Sequence, residues 1–478
     1  MNLSGLADAV LLPGFAGTTA PDWVRRRVAS GLGGVVLFAR NCESVEQVAA
    51  LTAALAAERA GVVVGTDEEG GDVTRLDAAA GSPVPGAYAL GVVDDVALTR
   101  DVSAAVAARL AAAGVTVNLA PVADVNSAPD NPVIGVRSFG ASADLVARHV
   151  VAAVAGTQAA GVAACAKHFP GHGDTTVDSH VGLPTVGPDL AAALAPFRAA
   201  VEAGVAAVMT GHLLVPGYGP LPATLNPALV SGVLRDELGF GGAVVSDALE
   251  MGAVAGTVGL GEGAVLALLA GVDALCLGGD LAGEAVADTA RDALVAAVRS
   301  GRLAESRLAE AAGRTAALGA RPRPQPRPRP RPPVGAAGEL AALGMTAARR
   351  SLRLVGDVRL AAGPTVVELD PAPTVAVGRT AWGLAGLLPG ALEWRLGPDD
   401  PVPPLPADRP LVVVARDATR VGWVGRAVTA LLADRPDAVV VEMGLPGPVP
   451  AARGWVATGG ASRASALAAA EALTGTVR

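Results

Sequence analysis

The stretch Gly34–Thr66, GVVLFARNCESVEQVAALTAALAAERAGVVVGT, carries the fold in miniature. It opens on a short apolar run (Gly34–Phe38), passes a polar turn, continues as an Ala/Leu-rich helical stretch (Val45–Ala60) and returns to a second apolar run (Val62–Thr66). Short runs that are apolar almost throughout suit parallel strands covered on both faces, whereas half-exposed strands alternate with polar residues. Working outward, the same unit recurs. Further strand candidates are Ala9–Leu12, Val115–Pro121, Val162–Lys167, Ala206–Gly211, Ala243–Ser246 and Asp273–Leu277. Helical patterns fall between them, as at Ala97–Ala113, Ala143–Ala159, Leu190–Ala203 and Gly261–Ala270. Eight β/α alternations predict an α/β protein built on a (β/α)8 or TIM barrel, a fold of about 250 residues. A doubly wound dinucleotide fold would show G-x-G-x-x-G after its first strand, and none stands there.

Beyond Leu318 the pattern breaks into RPRPQPRPRPRPP (Arg321–Pro333). Alternating proline forbids helix and favours an extended spacer; its arginines could also meet an acidic surface, but structured sequence resumes afterwards. Strand candidates Thr365–Leu369, Leu411–Ala415 and Ala438–Glu442, with helices at Gly425–Ala433 and Ala461–Leu473, predict a small α/β sandwich domain. The expected organisation is a barrel domain over 1–318, a linker over 319–335 and the small domain over 336–478. No histidine occurs in the last of these, which directs the search for chemistry to the barrel.

The 478 residues are 51% hydrophobic and 17% charged, which excludes a chain disordered throughout. A net charge of −8 argues against nucleic acid or an anionic membrane as the main partner. Apolar runs stop well short of the ~18 residues a membrane span needs. Three isolated cysteines, Cys42, Cys165 and Cys276, suggest neither a disulfide framework nor a zinc ribbon. The opening MNLSGLADAVLLPGFAG has no basic n-region and reads as a first strand and turn, so a reducing, cytoplasmic setting is expected. Of 37 basic side chains only Lys167 is lysine, and Ile134 is the sole isoleucine. Where arginine has replaced lysine everywhere else, the one that survives is expected to do what a planar guanidinium cannot.

Barrel chemistry gathers at the C-terminal ends of strands. Those ends carry Asp67–Glu68–Glu69, Asp124 and Asn126, Lys167–His168, His212 and Asp247. The richest segment is KHFPGHGDTTVDSH, Lys167–His180, which proline and glycine keep from forming helix. Asp178 and His180 lie two apart, so in extended chain both face one side, and a carboxylate beside an imidazole fixes its tautomer and raises its basicity. His172 and Asp174 read more simply as loop architecture. The spacing matches no H-E-x-x-H, and neither a metal nor a cofactor is expected. Asp247 either caps the helix that follows it or, facing a general acid/base, attacks an anomeric carbon, as in retaining glycosidases whose two carboxyls stand about 5 Å apart.

The first domain resembles the β-N-acetylhexosaminidases of glycoside hydrolase family 3, in the two-domain subgroup with a His/Asp dyad. The resemblance rests on GVVLFARN (Gly34–Asn41), DEEGGDVTRL (Asp67–Leu76), APVADVNS with NPVIGVRSFG (Ala120–Gly140), KHFPGHGDTTVDSH, PFRAAVEAGVAAVMTGHL (Pro196–Leu213) and LRDELGFGGAVVSDALEMGAV (Leu234–Val254). The loop ending in D-S-H separates this subgroup from the family's β-glucosidases. The resemblance implies Asp247 as nucleophile, His180 as general acid/base and Asp178 as its orienting partner. It implies that Asp67, Arg75, Arg137, Lys167 and His168 hold the N-acetylglucosamine unit. One departure is Asp72, where the family often has arginine; it is expected to add negative charge near the mouth and alter leaving-group preference.

The implied reaction is removal of terminal β-linked N-acetylglucosamine from cell-wall muropeptides or related glycosides. Phosphate is a rival acceptor to water, because a neutral histidine base does not repel an anion, and a phosphorylase using the same residues is the alternative. A Schiff-base lyase through Lys167 and a non-catalytic sugar-binding protein are remoter ones. The expected partner is a small carbohydrate; the sequence does not set the oligomeric state.

Overall fold

Eight short strands, buried at every position, centre the first domain: β1 Leu11–Pro13, β2 Gly34–Leu37, β3 Val63–Thr66, β4 Val117–Asn118, β5 Ala163–Phe169, β6 Ala207–Thr210, β7 Ala243–Ser246 and β8 Leu275–Leu277. The computed structural model describes residues 2–179, 182–187, 190–279, 283–320, 336–360 and 363–475; His180 and the Pro/Arg-rich 321–335 therefore lie outside the described residues. Strands β2 to β7 pair in parallel and in chain order, and β1 pairs in parallel with β8. The ring closes where the Ser246 N–H donates to the Ala274 carbonyl (2.9 Å) and the Gly33 N–H to that of Asp8 (2.9 Å). The protein is a (β/α)8 barrel with a second α/β domain.

Side-chain alternation shows why continuous apolar runs serve here. Val36, Val63, Cys165, Ala207, Val245 and Cys276 point into the barrel and fill it. Their neighbours Val35, Val64, Val208, Val244 and Leu275 pack outward against the helices. The helix Val45–Glu58 is typical: the Ser44 hydroxyl accepts the Gln47 N–H at its start, and Val48, Leu51, Thr52 and Leu55, three and four apart, form its buried stripe. The chain start departs from expectation. Asn2 caps a helix over Leu3–Asp8, its side chain accepting the Gly5 N–H at 2.8 Å, so the first strand begins at Leu11 rather than Ala9.

The second domain is a six-stranded sheet of β9 Arg353–Gly356, β10 Thr365–Leu369, β11 Leu392–Leu396, β12 Leu411–Ala415, β13 Val439–Glu442 and β14 Gly454–Ala457. Their order is β11-β10-β12-β13-β14-β9, parallel except for β9. The helix Arg463–Thr474 packs on one face, through Ala466, Ala469 and Leu473, and the helix Gly422–Asp434 on the other, through Val424, Val428 and Leu431. Among the described residues, no helix is long and apolar enough to cross a membrane.

The two domains are tied at the barrel mouth. Asp72, almost wholly buried, accepts from Arg416 at 2.5 Å and from the Ala461 N–H at 2.7 Å. The Ala381 N–H donates to the Ala78 carbonyl at 2.8 Å, and Arg420 donates to the carbonyl of Asn131. The expectation that Asp72 adds charge to the mouth is thus corrected: both its oxygens are spent on the second domain.

Candidate active site

A cavity of about 250 Å³ opens at the C-terminal end of the barrel. Strand ends supply its floor: Asp67 and Glu69 after β3, Lys167 and His168 within β5, and Asp247 after β7 all line it. Their convergence follows from parallel pairing, which brings every strand's C-terminal end to one rim.

Lys167, 2% exposed, stands between two carboxylates, its Nζ 2.7 Å from Asp67 Oδ1 and 2.7 Å from Glu69 Oε1. Arg137 grips Glu69 with both prongs, Nε to Oε2 at 2.9 Å and Nη2 to Oε1 at 2.8 Å. Burial alone would raise the Asp67 carboxyl, but the charges of Lys167 and Arg75 hold it below its ordinary value. Glu69 is driven down likewise, burial being outweighed by Arg137 and Lys167. Burial would lower the Lys167 ammonium, yet Asp67 and Glu69 raise it, so the amine stays protonated.

His168 is oriented from behind. Its Nδ1 lies 2.7 Å from Asp124 Oδ2, while Asp124 Oδ1 accepts the backbone N–H groups of His168 (3.2 Å) and His172 (2.7 Å). The carboxylate sets the Nδ1–H tautomer and leaves Nε2 as the free acceptor, with only a long 3.5 Å approach to Arg137. His172 is held by Thr175 Oγ1 (2.7 Å) and Ser179 Oγ (3.0 Å), and burial pushes its imidazole down to about 4. Asp174 accepts the Gly187 N–H at 3.1 Å. Both organise the loop. His212 does the same elsewhere, between Thr224 Oγ1 (2.8 Å) and the Ala248 carbonyl (3.0 Å).

Asp247 Oδ1 accepts the Ala248 N–H at 2.8 Å, and its carboxylate borders the cavity. Ser179, between Asp178 and His180 in the chain, lines the same cavity. Asp178 is half-buried, and its carbonyl accepts the Gly182 N–H at 3.0 Å.

Arg75 is more committed than its sequence position suggests. Its Nη1 donates to the Val377 carbonyl (3.1 Å) and its Nη2 to that of Ala376 (3.0 Å), with Asp67 Oδ2 at 3.6 Å. Its guanidinium therefore joins the second domain to the Asp67 carboxylate at the cavity floor.

Sequence reasoning passed over several participants. Glu69 and Asp124 stood among the strand-end polar residues, but nothing local showed their partners. Glu250, three residues beyond Asp247, lines the cavity; it accepts the Gly279 N–H, and burial pushes its carboxyl up, with the Asp247 charge adding to the effect. Val375, Ala376 and Gly378 of the second domain complete the rim. The Cys276 thiol also borders the cavity, but burial pushes it well up, away from nucleophilic character. Among the described residues no three His, Cys, Asp or Glu side chains are grouped as metal ligands. The lining carries four acidic side chains (Asp67, Glu69, Asp247, Glu250) and four basic ones (Arg40, Arg75, Arg137, Lys167).

A (β/α)8 barrel with an acid at the end of β7 hosts many chemistries, and comparison with known proteins selects among them. Residues 20–318 match the family described as Glycosyl hydrolase family 3 N terminal domain. The chain belongs to glycosyl hydrolase family 3 and is a glycoside hydrolase. It is 38% identical over 291 residues to a β-hexosaminidase of Thiobacillus denitrificans, covering 58% of this chain and 80% of that one. The structure of a glycoside hydrolase family 3 β-N-acetylglucosaminidase from a Paenibacillus species superposes with a TM-score of 0.87 at 32% identity, over 100% of this chain and 97% of that one. A β-N-acetylhexosaminidase from Beutenbergia cavernae matches 67% of this chain and 98% of its own, with a TM-score of 0.60 at 30% identity.

Proposed function

We propose that the protein is a retaining exo-β-N-acetylhexosaminidase that releases terminal β-linked N-acetylglucosamine. The observation that carries this is the placement of Asp247 in one cavity with the Asp67–Lys167–Glu69–Arg137 lattice and with Ser179, the chain neighbour of the D-S-H histidine. In this reading the lattice and His168 Nε2 bind the sugar hydroxyls and the acetamido group. Asp247 attacks the anomeric carbon while His180, oriented by Asp178, protonates the departing oxygen. His180 then takes a proton from water, which displaces Asp247 and restores the original configuration. Arg75 acts as a positioning residue, since its donors hold the second domain beside Asp67.

Cell-wall muropeptides or related glycosides are the substrate class of this reading, and the cytoplasm its setting. The raised Lys167 ammonium speaks against the Schiff-base alternative, which needs a neutral amine. Phosphorolysis has one observation in its favour: the cations lining the cavity match its carboxylates in number, so an anionic acceptor meets no excess of negative charge. The test is turnover of an aryl β-N-acetylglucosaminide by wild type and Asp247→Ala, with and without phosphate. Loss of turnover in the variant supports the nucleophile; sugar 1-phosphate among the products would make the enzyme a phosphorylase. A folded wild type that turns over no N-acetylglucosaminide would overturn the proposal.

A further inference from the structure

The second domain reaches the cavity through one segment, the turn that follows β10. Ala376 packs on the barrel cluster of Val122, Val133 and Ile134, which gives the sole isoleucine a place in the fold. The Ala376 and Val377 carbonyls are held by Arg75, and the Gly378 N–H closes the turn on the Thr374 carbonyl at 2.9 Å. Val375 is thereby fixed at the rim, lining the cavity with 51% of its surface still exposed.

Depth divides this cavity into two halves of different chemistry. Lys167 at 2%, His168 at 6% and Arg137 at 8% exposed form the charged floor, while on the barrel side of the rim the exposed Arg40 donates to the Phe15, Gly278 and Gly279 carbonyls. The outer wall presents Val375, Ala376 and Gly378, none of which offers a side-chain hydrogen bond. In the hexosaminidase reading, a terminal sugar held by the floor points the substituent on its anomeric carbon toward the rim, part of which this wall forms. An aliphatic wall gains by covering a ring's carbon face and gives a charged group nothing in return for its lost water.

We propose that Val375 and Ala376 of the second domain form the leaving-group subsite and select a leaving group that turns an uncharged ring face to them. This rests on the hexosaminidase reading of the same cavity and assigns the second domain a part in specificity.

The experiment compares three aryl β-N-acetylglucosaminides whose leaving groups differ only in a neutral, a carboxylate or an ammonium substituent on the ring. Wild type, Val375→Arg and Val375→Glu are assayed, with melting temperature and inhibition by free N-acetylglucosamine as controls. Wild type is expected to favour the neutral ring in kcat/KM by tenfold or more. Val375→Arg should shift preference toward the carboxylate and Val375→Glu toward the ammonium, each by at least tenfold, with inhibition by the free sugar unchanged. A merely structural role would move both variants in the same direction. Hydrolysis with unaltered leaving-group ratios in both folded variants overturns this proposal alone. Absence of any hydrolysis by wild type overturns the hexosaminidase reading and this proposal with it.

Discussion

Replacing Asp72 by alanine removes a joint that two segments of the second domain share. Its carboxylate, 2% exposed, holds the Arg416 guanidinium, 12% exposed, and the Ala461 N–H. Deleting one member of a buried ion pair costs about 3–5 kcal/mol, because the other charge stays desolvated. The orphaned amide would add about 1–3 kcal/mol if independent, but groups in one network do not add, so about 4 kcal/mol is the working figure. Asp72→Asn keeps an acceptor for the amide and should cost about half as much. Arg416→Ala should resemble Asp72→Ala, and the double variant should fall short of the sum by about 1–3 kcal/mol. Four of the five tryptophans, Trp382, Trp394, Trp423 and Trp455, lie in the second domain, so urea unfolding followed by tryptophan fluorescence reports on it directly. With a slope of about 2–3 kcal/mol per molar, the midpoint for Asp72→Ala should drop by roughly 1–2 M. Because the same docking holds the carbonyls that grip Arg75, kcat/KM should fall as well. A midpoint within about 0.2 M of wild type and strictly additive single variants would refute the view of Asp72 as an interdomain tie.

Three further outcomes follow from the site. Lys167→Met, which leaves Asp67 and Glu69 with only their arginine partners, should cost about 3 kcal/mol in urea unfolding and abolish measurable turnover; Lys167→Arg, matched in charge but not in shape, should fail to restore it. Asp124→Asn keeps an acceptor for the two backbone amides but weakens the hold on His168 Nδ1, so kcat/KM should drop about tenfold to a hundredfold with folding intact, as paired kinetic and melting measurements would show. His172 stays neutral when folded down to a pKa of about 4, against 6.5 ordinarily, so in that window the unfolded chain binds a proton the folded one does not. Stability should therefore fall as pH drops from 6.5 towards 4, by up to about 3 kcal/mol, and His172→Gln should show a smaller loss; equal losses in both proteins would refute it.

What the sequence disclosed and what it hid follow from the range of the interactions. Barrel strands were legible because burial on both faces writes a continuous apolar run, as in Val63–Thr66 and Ala243–Ser246. Edges β9 and β11 were not: both are largely exposed, and runs such as LEWRL carry no such signature. Strand ends showed which residues could meet at the rim, but not which partner each would take. Lys167 finds Asp67 across 100 positions and Arg75 finds the Val377 carbonyl across 302, distances over which no local pattern speaks. The second domain's share in the rim was hidden for the same reason, since its contribution is a turn of small residues and backbone carbonyls.

The solitary lysine has a practical consequence. Lys167 is the chain's one lysine, 2% exposed, with its Nζ between Asp67 and Glu69. Lysine-selective isotope enrichment would place a single nuclear reporter in the cavity at the barrel mouth of a 478-residue enzyme, free of overlap from any other side chain of its kind. One resonance would then follow occupancy, displacement and exchange in the pocket. Amine-directed dyes and crosslinkers, by the same arithmetic, find on this molecule's side chains only a shielded ammonium at the floor of its barrel.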